Sequence, residues 1–124
     1  MKSRTLASDQ TETAETDELF ETANLYPRTT GLPMTVWVSP RGNARHDARI
    51  KVNTTHGNQM TIDNTAVVGI RPAPHFVAGR LSADDGQAVF RWIALNAAAI
   101  VAYWDGSIDT VQLSQMLKPL PTTP

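Results

Sequence analysis

The chain has 124 residues, with 11 Lys and Arg against 12 Asp and Glu, three His and no Cys. That length suits one domain with a single modest core, and the lack of cysteine excludes disulfides, zinc fingers, iron–sulfur ligation and thiol catalysis within it. A formal charge of −1 argues against a globally basic nucleic-acid binder, while 41% hydrophobic and 19% charged residues argue against a highly charged disordered chain.

Near-neutrality conceals a division into blocks. Residues 1–30 hold Lys2, Arg4 and Arg28 against Asp9, Glu12, Glu15, Asp17, Glu18 and Glu21, a balance of −3. Residues 31–81 hold Arg41, Arg45, Arg49, Lys51, Arg71 and Arg80 against Asp47 and Asp63, a balance of +4. Residues 82–124 hold Arg91 and Lys118 against Asp84, Asp85, Asp105 and Asp109, a balance of −2.

Residues 1–30 read as an acidic arm. Its first half, 1–16, is rich in Thr, Ser, Glu and Asp with almost nothing to bury, and disorder is expected there. A short helix over 17–24, capped by Thr16 or Asp17, would gather Leu19, Phe20 and Ala23 on one side and stop at Pro27. The domain proper is expected over 31–120, with 121–124 as a tail. Residues 34–38 read as a strand, followed by turn chemistry at Pro40, Arg41, Gly42 and Asn43. Over 45–53 the pattern has period two, with His46, Ala48, Ile50 and Val52 on one face and Arg45, Asp47, Arg49, Lys51 and Asn53 on the other. After a turn at His56, Gly57 and Asn58, a strand over 59–63 places Met60 and Ile62 inward, and the apolar run 66–70 reads as a central strand. Pro72 and Pro74 break the ladder, and 75–81 is a further strand candidate.

The remainder is helical. Ser82 followed by Asp84 and Asp85 forms an N-terminal cap with acids that complement the helix dipole. Val89, Trp92, Ile93, Asn96, Ile100, Tyr103 and Trp104 then recur at intervals of three and four, and a second stripe, Phe90, Ala94, Ala97 and Val101, predicts a largely enclosed helix. Asp105 and Gly106 stop it, and Asp109 with Gln112 starts a shorter one to about Leu117. Strands followed by helices predict an α+β fold: an antiparallel sheet of four to five strands packed by one long and one short C-terminal helix. The longest apolar run, 97–104, falls far short of the ~20 residues that span a bilayer. No apolar stretch follows Lys2 and Arg4, so a signal peptide is not expected and a cytoplasmic protein without membrane contact is.

The most informative surface is the polar face of the second strand. Arg45, Arg49 and Lys51 stand in a row there, and Trp37 joins them if the first two strands pair, because Val36 and Val38 face the other way. Cations beside an aromatic can grip an acidic protein segment, or a phosphate backbone with a stacked base. The acidic arm, with Leu19, Phe20, Leu25 and Tyr26 behind its acids, is complementary to the +4 block of its own chain or of a neighbour. His46, His56 and His75 show no metal-ligand spacing, and no cofactor, metal or catalytic residue is assigned. Asn96 interrupts an apolar stripe, so its amide is expected to pin a carbonyl and an amide of the preceding loops.

Three short stretches, Asn24–Leu25–Tyr26–Pro27, Thr30–Gly31–Leu32–Pro33 and Val36–Trp37–Val38–Ser39, resemble the opening of a group of small uncharacterised bacterial proteins. Trp92–Ile93, Leu95–Asn96 and Tyr103–Trp104–Asp105–Gly106 are similar to their helical ending, so the resemblance spans residues 24–120. It transfers no function, and implies that Asn96 and the Trp104–Asp105–Gly106 corner belong to the framework. The expectation is therefore a non-enzymatic binding or regulatory module. It would act through protein contacts or self-association at Trp37, Arg45, Arg49 and Lys51. The alternative is a small RNA-acting protein, a toxin-like metal-independent nuclease using the same face with His46.

Overall fold

The computed structural model describes residues 22–121. Its sheet follows from alternation: β1 (Ala23–Leu25), β2 (Val36–Val38), β3 (Arg49–Asn53), β4 (Thr65–Gly69) and β5 (His75–Ala78) lie side by side in chain order, each antiparallel to its neighbour. A short helix, α1 (Pro27–Thr30), separates β1 from β2, and a 3-10 turn (Ile62–Asn64) precedes β4. The long helix α2 (Ala83–Trp104) and the short helix α3 (Thr110–Met116) complete an α+β fold of the class expected.

One face of the sheet is the floor of the core. Cross-strand pairs Val36 with Val52, Val38 with Ile50, Ile50 with Val68 and Val52 with Ala66 stack there. Val89, Trp92, Ile93, Ile100 and Tyr103 of α2 close over them. Each fully buried side chain of this kind contributes about 1.5–3 kcal/mol. Register is therefore fixed, since a slip by one residue would turn Trp37 and Lys51 into the core.

Local signals hold the helices in place. The Ser82 hydroxyl accepts the Asp85 N–H at 3.2 Å, and Asp109 and Gln112 form a reciprocal capping box. Asn96, 2% exposed, donates through Nδ2 to the carbonyls of Trp92 (2.9 Å) and Lys118 (3.0 Å) and accepts the Lys118 N–H at 2.7 Å. The pinned segment lies after α3, not among the loops before α2. Leu120 N–H then donates to the Thr30 carbonyl at 2.7 Å. The strap passes so close that a Cβ on Gly31, whose φ is +78°, would sit 2.5 Å from the Leu120 oxygen.

Three elements differ from the expectation. Residues 17–21 of the expected helix and the whole of 1–16 lie outside the described residues. Ala23 and Asn24 are strand, because pairing Ala23 with Val38 and Leu25 with Val36 buries both apolar side chains. The second strand begins at Arg49 instead of residue 45. Its partner runs out at Pro40, which has no N–H to give a ladder, and the chain turns at Gly42 with φ +53°. Residues 59–61 are loop, and the 3-10 turn that follows, closed by Asn64 N–H on the Thr61 carbonyl at 3.1 Å, replaces the strand expected over 59–63. Among the described residues no helix is long and apolar enough to cross a membrane.

Candidate functional site

Strand parity builds the site on the face opposite the core. Asn24, Trp37 and Lys51 stand opposite one another across β1, β2 and β3, and Arg49 shares their face two residues from Lys51. The Trp37 indole is fixed because its Nε1–H donates to the Asn24 side-chain oxygen at 3.0 Å. Lys51 and Arg49 are half-buried.

The loop 40–48 supplies the second wall. Arg41 N–H donates to the Trp104 carbonyl at 2.9 Å, docking the loop on the C-terminal end of α2. The His46 ring then lies on the Trp104 indole, centroids 5.2 Å apart and planes tilted by 35°. His46 Nδ1 is 2.8 Å from the Asp47 carbonyl. A carbonyl can only accept, so Nδ1 carries the proton, and in the neutral ring Nε2 keeps its lone pair.

Asp47 is turned away to Arg71, whose Nε reaches both carboxylate oxygens (3.1 and 2.9 Å) and whose Nη2 reaches Oδ1 at 2.7 Å. That guanidinium, helped by the Ala48 N–H, lowers the Asp47 pKa from 3.8 to about 2, and the carboxylate in turn raises that of Arg71. The acid adjoining His46 is thus already paired, and its charge does not offset Arg49 and Lys51.

Trp37, Ser39, His46, Arg49, Lys51 and Trp104 together line a cleft of about 130 Å³. Two cations, an imidazole, a hydroxyl and two indoles in one lining are chemically suited to an anionic group carried on an otherwise neutral or apolar stem. None of the lining residues is acidic.

Three of the four residues expected at the site, Trp37, Arg49 and Lys51, meet in this cleft; Arg45 is exposed on the loop and does not line it. His56 lies elsewhere, its Nε2 2.8 Å from Asp85 at the start of α2. His75 shares the outer face, its ring against Gly69 and its Nδ1–H on the Ala73 carbonyl at 2.7 Å, outside the cleft lining. Ser39 and Trp104 are cleft residues that the sequence reading does not place at the binding surface. Trp104 reads as one more member of an apolar stripe, and only its position immediately before the Asp105–Gly106 stop hints at an edge. Among the described residues no group of three His, Asp or Glu is placed to hold a metal ion. Compared with protein families, with curated proteins and with solved structures, the chain finds no match in any of the three.

Proposed function

We propose that this protein is a non-enzymatic binding module whose cleft receives an acidic segment of a protein partner. One observation carries the reading: Arg49 and Lys51, half-buried and without a carboxylate partner among the described residues, converge on a cleft walled by Trp37 and Trp104. A carboxylate entering there gains two charge-assisted contacts, and its aliphatic stem packs on indole. Arg45, at the exposed loop, adds long-range attraction for the same partner.

The placement of His46 beside both cations favours a second reading, an RNA-acting protein. General acid–base cleavage needs a partner for that imidazole, and the cleft lining offers neither a carboxylate nor a second histidine. The protein-binding reading is therefore preferred.

Titration of the protein with an aspartate- and glutamate-rich peptide, followed by tryptophan fluorescence, tests it. Binding should be lost in Arg49→Glu/Lys51→Glu with the fold intact by circular dichroism. Equal binding by the double variant would overturn the site. A single-stranded RNA that binds where the peptide does not, with affinity falling steeply as salt rises, would replace this reading with the second.

A further inference from the structure

The cleft lies beside the point where the acidic arm enters the sheet. The Thr22 hydroxyl is hydrogen-bonded to that of Ser39 at 2.8 Å, and Ser39 is itself part of the cleft wall. The next two residues are registered on the same strand, Ala23 opposite Val38 and Asn24 opposite Trp37. Thr22, the first described residue, therefore stands at the rim of the cleft, and the acidic residues precede it in the chain. Six acids, Asp9, Glu12, Glu15, Asp17, Glu18 and Glu21, lie within the residues preceding Thr22.

We infer that this arm is the cleft's own first occupant, an intramolecular acidic segment that an external one must displace; the inference rests on reading the cleft as a site for acidic segments. Reach is not limiting, since an extended chain covers about 3.3–3.6 Å per residue and Glu18 and Glu21 stand four and one residues from Thr22. Ser39 is one residue beyond the Val38–Ile50 pair, which places Arg49 across from it. A short tether holds the arm at an effective concentration in the millimolar range. Contacts of a few charges are weak individually, yet at such a concentration they fill the cleft for much of the time. The device sets a threshold: short or sparsely charged segments are excluded, and a partner with denser charge or a better apolar anchor displaces the arm.

The test uses the full chain. In one variant all six acids are neutralised (Asp9→Asn, Glu12→Gln, Glu15→Gln, Asp17→Asn, Glu18→Gln and Glu21→Gln). A milder variant, Glu18→Gln/Glu21→Gln, serves if the first does not fold. Two readouts are compared with the unaltered protein at low salt: affinity for a polyglutamate peptide, and the Trp37 indole N–H resonance without peptide. Neutralisation should tighten peptide binding about tenfold, a difference that disappears near 1 M salt, where the screening length falls to about 3 Å. The Trp37 resonance should move. Equal affinities with an unmoved resonance would overturn the inference while leaving the acidic-segment reading in place. A moved resonance with no peptide binding to either protein would support the arm's contact and overturn the external partner. A change of oligomeric mass on neutralisation would place the arm in a neighbour's cleft and overturn the intramolecular form.

Discussion

The two faces of the sheet are made by the same strands and do opposite things. On one, Val36, Val38, Ile50 and Val52 are at most 1% exposed and sealed by α2. On the other, Trp37 and Lys51, which alternate with them, and Arg49, which precedes Ile50, stay half open around a cleft. The two faces differ in how their charge and surface are satisfied. The inner face is satisfied within the molecule by dispersion and exclusion of water. The outer face keeps two cations without a described carboxylate, a state that costs little while water reaches them and is improved only by something from outside the sheet. Substitutions should therefore separate into those that change stability and those that change binding.

The largest effect belongs to the inner face. Ile93→Ala removes a fully buried side chain from the contact between α2 and the sheet and should cost about 2–5 kcal/mol, read from the urea unfolding midpoint. Peptide affinity per folded molecule should not change. Next comes the pin between helix and strap. Asn96→Ala leaves the Lys118 N–H and carbonyl without their partner and should cost about 1–3 kcal/mol, with faster amide exchange at Lys118. The outer face should show the reverse pattern: Lys51→Glu should alter stability by no more than about 0.5 kcal/mol while removing peptide binding. If Lys51→Glu unfolds the protein, the division between the faces is wrong.

The smallest effect is the pH response of the loop that carries His46. Asp47 titrates near 2 in the folded protein, below its ordinary 3.8, because Arg71 holds its charged form. A depressed carboxylate stabilises the fold above about pH 4, and that contribution is lost as pH falls through 2. Both side chains are about half exposed, so the loss is small. Comparing acid unfolding of the unaltered protein with Asp47→Asn should show it as a shallower pH dependence in the variant between pH 4 and 2.

Much of the inner face is legible in the sequence because burial on one side imposes period two, as at Val36 and Val38 or Ile50 and Val52. Asn96 is legible for a related reason: a polar residue on an apolar stripe must find partners, although nothing local says whether they come from before or after it. Periodicity misleads at 45–48, where the alternation continues past the residue at which Pro40 ends the partner strand. It also hides β1, whose first two residues, Ala23 and Asn24, fit the end of a helix until Val36 and Val38 are seen to need a neighbour. The cleft is only half legible. The row of cations follows from parity, whereas the second wall depends on a loop meeting the far end of α2, a meeting of residues more than fifty positions apart in the chain.

The strap from α3 back to α1 has a kinetic consequence. The hydrogen bond between Leu120 and Thr30 closes a loop of about ninety residues, whereas each sheet pairing joins strands adjacent in the chain. Local hairpins can therefore assemble before this latch shuts, and the latch should be the last part of the molecule to lock and the first to release. Weakening it, for example by Gly31→Ala, should quicken unfolding while leaving the rate of folding nearly untouched. The lifetime of the native state, more than its rate of formation, is then set by a few residues of backbone lying across a glycine.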